Sequence, residues 1–244
     1  MSSRINLQPA YVLHTQAFQN TSLLVDFFCI DYGRVRAVAK GARRNKSKTR
    51  SYLQAFQPLL IGLSGRGELK TLSAVEGSVS ALTLVGRRLF CGMYINELMV
   101  RLVQSNEAHP ELYEAYQQSL IGLHGDGDVE QILRAFEFSL LHELGYGIDM
   151  TTEAHSGALL EDEGRYLFFP DRGFVSTFEV SNSDNASLNE FSGVEISQIR
   201  SALKGLGEHP AASRRLARQT LQFYLGDKPL MSRSLFSASG TKKT

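Results

Sequence analysis

Cysteine is scarce: the chain of 244 residues has two, Cys29 and Cys91. Both sit in apolar runs, Phe27-Phe28-Cys29-Ile30 and Leu89-Phe90-Cys91, where cysteine usually serves as a small buried hydrophobe. Two isolated cysteines exclude a disulfide framework, and neither has the closely spaced second ligand of a structural zinc site. No apolar run approaches the ~20 residues that cross a bilayer. The N-terminal Met-Ser-Ser-Arg-Ile-Asn-Leu-Gln-Pro also lacks an apolar core of signal-peptide length. A cytoplasmic protein with no membrane partner is the expectation. Net charge is small as well, at +1, while hydrophobic residues make up 43% and charged residues 21%. That balance is neither a disordered chain's nor a membrane protein's, and the length accommodates two domains with their own cores.

Acidic residues are absent from residues 40–50, Lys-Gly-Ala-Arg-Arg-Asn-Lys-Ser-Lys-Thr-Arg. Lys40, Arg43, Arg44, Lys46, Lys48 and Arg50 thus concentrate positive charge in a chain that is otherwise nearly neutral, which is a polyanion-binding composition. The alternative is a solvated loop whose charges keep the protein soluble. The flanking sequence favours the first reading. Residues 11–18, 22–30, 34–40, 54–63 and 68–78 read as short strands separated by turn signals such as Gln19-Asn20, Asp31-Tyr32-Gly33 and Ser64-Gly65-Arg66-Gly67. In the third strand Arg34 and Arg36 share one face and Val35 and Ala37 the other. Five short strands with cations on a face and in the loops suit an oligonucleotide-binding barrel, the OB-fold. Arg66 and Lys70 extend its basic surface. Among Phe18, Phe27, Phe28, Tyr32, Tyr52 and Phe56, Tyr52 is the first candidate for base stacking, because it directly follows the basic loop.

From Leu82 the apolar period lengthens to three and four residues, through Val85, Leu89, Met93, Leu98 and Leu102. Further helices are expected from Pro110 to Leu120, from Asp128 to Leu144, and over residues 194–206 and 211–225. Residues 150–178 read as a small β-hairpin insert and 181–189 as a polar loop. The expected architecture is α+β: a five-stranded barrel over residues 1–80, a mainly helical domain over 81–236 carrying the insert, and a disordered tail over 237–244. Arg214, Arg215 and Arg218 form a further basic group, available to DNA or to a partner.

Motifs for covalent chemistry are missing. Gly62 and Gly67 have P-loop spacing, but Glu68 and Leu69 stand where lysine and a hydroxyl residue would hold phosphate and magnesium. Gly65 and Gly67 lack the third glycine of a dinucleotide fingerprint, and Ser64 lacks the glycine of a nucleophile elbow. The six histidines are scattered. Glu161-Asp162-Glu163 are consecutive and so point in different directions, a poor magnesium site. No catalytic residue, cofactor or metal is assigned.

Several segments together resemble the bacterial recombination mediator family RecO: Arg34-Val35-Arg36-Ala37-Val38-Ala39-Lys40-Gly41-Ala42-Arg43, Gly65-Arg66-Gly67-Glu68-Leu69-Lys70-Thr71-Leu72, Tyr94-Ile95-Asn96-Glu97-Leu98, Leu144-Gly145-Tyr146-Gly147, and Leu225-Gly226-Asp227-Lys228-Pro229-Leu230-Met231-Ser232-Arg233. The resemblance spans nearly the whole chain. It implies an OB-fold followed by a helical domain, binding of single- and double-stranded DNA, and annealing of complementary strands. It further implies action with RecR, and in some lineages RecF, to load RecA on DNA covered by the single-stranded DNA-binding protein SSB, and hence a presence at the nucleoid during repair. Many relatives carry a four-cysteine zinc site in the insert, but residues 151–174 contain no cysteine, so zinc is not carried over. The family also implies docking of the SSB C-terminal tail on the helical domain, for which Leu133, Arg134 and Phe136 offer apolar groups beside a cation; the alternative is that Leu133 and Phe136 are core and Arg134 lies on the surface. An RNA-binding module and a protein-interaction scaffold are the rival functions.

Overall fold

The alternation of apolar and polar residues in the first part of the chain resolves into a barrel whose longest strand, β1 (Arg4–Phe18), serves two neighbours. Its first half pairs antiparallel with β4 (Leu59–Ser64), and its second half pairs antiparallel with β2 (Ser22–Cys29). Register shifts between Ile5 and Gln8 and between Val12 and His14 supply the bends such sharing requires. β3 (Gly33–Ala39) runs antiparallel to β2 and parallel to β5 (Lys70–Gly77), giving the closed order β1-β2-β3-β5-β4. This is the expected OB-fold. Its interior is filled by Val12, Val25, Phe27, Val35, Ala37, Leu59, Ile61 and Leu63, inward members of β1 to β4, with the partly buried Leu72 and Val75 of β5 packed against them.

The computed structural model describes residues 4–78, 82–178 and 189–239. Contacts divide the chain into one unit of Met1–Val129 with Pro229–Thr244 and another of Glu130–Lys228. The barrel belongs to the first unit. So do α2 (Gly86–Leu102) and α3 (Pro110–His124), the latter opening on a proline whose missing N–H is not needed at a first helical position. Tyr11 and Phe28 point out of the barrel and meet Tyr113 and Tyr116 of α3, with ring centroids 5.1 to 6.0 Å apart. Asn96 of α2 is buried and donates to the carbonyls of Val12 and Leu13 on β1, while Tyr116 Oη donates to Asn96 Oδ1 at 2.7 Å.

Three features of this unit were not foreseen. Residues 48–52 form a short helix, α1 (Lys48–Tyr52), so β4 starts at Leu59 rather than Gln54. Gly33, at φ +60°, sits so close to Glu107 that a Cβ would lie 1.6 Å from its carbonyl oxygen. The C-terminal residues also return: a helix over Ser232–Ser239 takes in the first residues of the expected disordered tail, and residues 240–244 lie outside those described. The backbone N–H groups of Met231 and Ser232 each donate to the Glu97 carboxylate at 2.8 Å, and Phe236 meets Phe90 edge to face.

In the second unit, α4 (Val129–Glu143) precedes a sheet of order β7-β6-β8, made of β6 (Arg165–Phe169), β7 (Gly173–Ser176) and β8 (Glu190–Ser192). The expected hairpin is thus extended by a third strand; the polar loop before it, apart from Asn189, lies outside the described residues. A capping box of Ser192 and Glu195 opens α5 (Gly193–Leu203), and α6 (Ala211–Leu225) follows, ending on Gly226 at φ +68°. Phe168, Phe174, Phe191, Ile196, Ile199, Leu216 and Ala217 form the core. The C-terminal helix is numbered α7 (Ser232–Ser239). Both cysteines are buried, and burial, aided by the charge of Asp31, pushes the Cys29 thiol up to about 12.

Candidate nucleic-acid interface

The basic segment leaves β3 at Ala39 and is held by its own backbone. Arg43 N–H donates to the carbonyl of Thr21, Arg44 N–H to Gly41 and Ser47 N–H to Arg44. Ala42 is fully buried in the barrel core, so it pins the loop from beneath. The cations around it project outward: Lys40, Arg43, Arg44, Lys46, Lys48 and Arg50 are all exposed. None makes an ion pair among the described residues, and Arg43 alone uses its guanidinium locally, donating to the Gln19 carbonyl at 3.3 Å. An ordered backbone presenting uncompensated cations to solvent keeps its charge for an external anion.

The two arginines of β3 are in a different situation. Asp26, across the β2–β3 pair from Arg36, receives Arg36 through two bonds of 2.9 and 3.0 Å and Arg34 at 3.3 Å. That fork raises the Arg36 pKa, chiefly through its hydrogen bonds to the carboxylate and despite some desolvation. Arg34 also donates to the Val103 carbonyl at 2.9 Å. One carboxylate between two guanidiniums leaves this face less positive than its arginine count suggests. The two arginines border a hollow of about 350 Å³ with Phe18, Leu24, Glu68 and Leu69. At the β4–β5 turn Arg66 is exposed, and Lys70 donates to the Gly65 carbonyl.

The aromatic candidates separate by depth. Phe27 is inside the barrel, Phe28 lies under α3, and Phe56 is buried; Tyr52 is half-buried against the barrel core, and Tyr32 is 40% exposed.

In the second unit, Leu133 and Phe136 are buried, and Arg134 Nη2 donates to Glu137 Oε1 at 2.7 Å with both side chains almost wholly covered. The arginines of α6 are unequal. Arg215 lies over the Phe191 ring at 4.1 Å and bonds Glu195 and the Glu190 carbonyl, whereas Arg214 and Arg218 are exposed and form no ion pair among the described residues. Asp26, Glu137 and Glu195, which set these differences, were not singled out in the sequence. An acidic residue in register opposite Arg36 is the one signal that alternation could have offered. Among the described residues no group of three or more metal-ligating side chains converges, and no helix is long and apolar enough to cross a membrane.

Residues 1–80 match the family model Recombination protein O N terminal, and residues 85–234 match Recombination protein O C terminal. The chain belongs to the RecO family. It is 41% identical over 232 residues to the DNA repair protein RecO of Pseudoalteromonas atlantica, covering 95% of this chain and 94% of that one. It is 44% identical over 230 residues to that of Aromatoleum aromaticum, covering 94% of each. The RecO of Salmonella gallinarum is 40% identical over 238 residues, which are 97% of this chain and 96% of that one. Two RecO-like motifs distant in sequence meet in space, since Glu97 of the Asn96-Glu97 segment holds Met231 and Ser232 of the C-terminal one.

Proposed function

We propose that this protein is a non-catalytic DNA-binding protein of recombinational repair. It binds single- and double-stranded DNA, anneals complementary strands and, with RecR and where present RecF, helps load RecA on SSB-coated DNA. The observation that carries this reading is the ordered basic loop on an OB-fold barrel, with six exposed cations that have no acidic partner among the described residues. Lys40, Arg43, Arg44, Lys46, Lys48 and Arg50 would neutralise phosphates, with Arg34, Arg36, Arg66, Lys70 and Tyr52 on the adjoining surface. Neutralising two strands at once lowers their mutual repulsion, so annealing needs no nucleotide. Docking of the acidic SSB tail at Leu133, Arg134 and Phe136 belongs to the same reading, and it requires the Arg134–Glu137 pair to open. The protein would act in the cytoplasm, at the nucleoid during repair.

The test is annealing of two complementary oligonucleotides precoated with SSB, without nucleotide. The intact protein is compared with a variant in which Arg43, Arg44, Lys46 and Lys48 are replaced by alanine. Fast annealing that the variant loses supports the reading. Equal, unaided rates for both proteins would reject it and turn attention to RNA or to acidic protein tails.

A further inference from the structure

The exposed side of α6 is a groove of about 880 Å³, lined by Phe168, Pro170, Arg214, Arg218, Gln222 and Phe223. Arg214, Arg218 and Gln222 follow one another at four-residue spacing, so they form a single row along the helix, each about 6 Å further on. The two arginines carry no ion pair among the described residues, whereas Arg215, also in the wall, is compensated by Glu195. At the far end of the row Phe223 is 52% exposed and meets Tyr224 at an interplanar angle of 89°. Behind it Tyr224 lies face to face with Tyr146, centroids 3.7 Å apart. One carboxylate, Asp227, lines the same end.

We infer that this groove is a second binding site for a single nucleic-acid strand, held in the helical unit independently of the barrel. The inference rests on the strand-binding reading above. Arg214 and Arg218 take successive phosphates, Gln222, whose Nε2 already donates one N–H to the Gly226 carbonyl at 3.0 Å, offers its amide oxygen and second N–H to a base edge, and Phe223 gives a flat face on which a base stacks. The arrangement discriminates against an acidic peptide end, which would call for cations converging on one carboxylate at the mouth of an apolar pocket. Here the cations are strung out along the groove and the aromatic ring stands at the end of the row, a pattern that fits a charge repeated along a chain. A protein with one strand site in each unit can carry two strands, which is what annealing demands.

The experiment uses the full chain and a single strand carrying photoreactive 5-iodouracil. Cross-linked peptides are identified by mass spectrometry in the parent and in the variant with the basic loop neutralised. Cross-links at Phe223 or its neighbours in both proteins are expected. In the loop-neutralised background, Phe223→Ala should weaken the remaining strand binding about tenfold. Arg214→Ala and Arg218→Ala should each lower the salt slope by about 0.7. All three side chains are exposed, and thermal melts check that the variants stay folded. If cross-links fall on the barrel alone, the second site is overturned while the general reading stands; if the parent binds no strand, both fall. If the α6 variants bind strands like the parent but lose a labelled acidic, aromatic-ended peptide, the groove is a peptide site and the inference is wrong.

Discussion

Tyr116 donates its hydroxyl proton to Asn96 at 2.7 Å inside the first unit, and Asn96 passes the connection on to the carbonyls of Val12 and Leu13. One amide therefore ties two helices to a barrel strand. Asn96→Ala removes the buried amide that accepts from the Tyr116 hydroxyl and donates to two strand carbonyls, so urea denaturation should show a loss of about 2–3 kcal/mol. Adding Tyr116→Phe to that variant should cost less than about 1 kcal/mol more, because the Tyr116–Asn96 bond it would break is already gone. Fully additive losses would show that the two residues act separately.

Glu97 gives the C-terminal helix a pH dependence. Burial alone would raise its pKa, but hydrogen bonds from Ser232 and Met231, with the charge of Arg101, outweigh this and lower it. A carboxyl with a depressed folded value contributes stability that is fully present above its unfolded value near 4.3–4.5 and is lost as pH falls through the folded value. Amide exchange at residues 231–235, followed downward from pH 6, should therefore accelerate below about pH 4.5 beyond the intrinsic rate. In Glu97→Gln the protection should be weak throughout and lack that acid step.

Asp26→Ala tests whether the arginines of β3 are held for structure or for binding. Removing the shared carboxylate leaves the largely covered Arg34 without its counter-charge, at a cost of about 2–3 kcal/mol in stability. The outer barrel face becomes more positive, so affinity for a short single strand at low salt should rise a few-fold in fluorescence anisotropy. A fall in affinity with the fold intact would mean that the arginines bind only in the orientation Asp26 gives them.

Salt offers a reading of the basic loop that is independent of structure. Each phosphate contact on a single strand contributes about 0.7 to the slope of log affinity against log salt. Replacing Arg43, Arg44, Lys46 and Lys48 singly by alanine should lower the slope by about that amount for each residue in contact. Replacements that weaken binding but leave the slope unchanged would remove these cations from the phosphate contacts.

The barrel was legible because its strands alternate over five or more residues, and the longer helices because a three- to four-residue period persists. What escaped was local or distant. Lys48–Tyr52 is too short to display a period, and Glu190–Ser192 becomes a strand only through its pairing with Arg165–Leu167. The basic loop could be read from composition, since no acid lies within residues 40–50 and none of its cations forms an ion pair among the described residues. Composition could not tell Arg218 from Arg215 or Lys40 from Arg34, because the compensating acids Glu195 and Asp26 come from other elements. Charge along a chain is visible in one dimension, and neutralisation is a property of three.

The carboxylate of Glu97 and the N–H groups it holds are separated by 134 and 135 residues, and the whole of Glu130–Lys228 lies between. On the ribosome the first unit starts before the second and finishes after it, its closing contacts waiting for residues 229–239 to emerge. A stop codon near position 229 would thus injure the barrel-bearing unit while leaving the second unit's sequence untouched. A barrel fragment cut at residue 80 would lack both the Asn96 clamp and the returning helix. Any dissection of this protein into working parts has to graft the far end of the chain back onto its beginning.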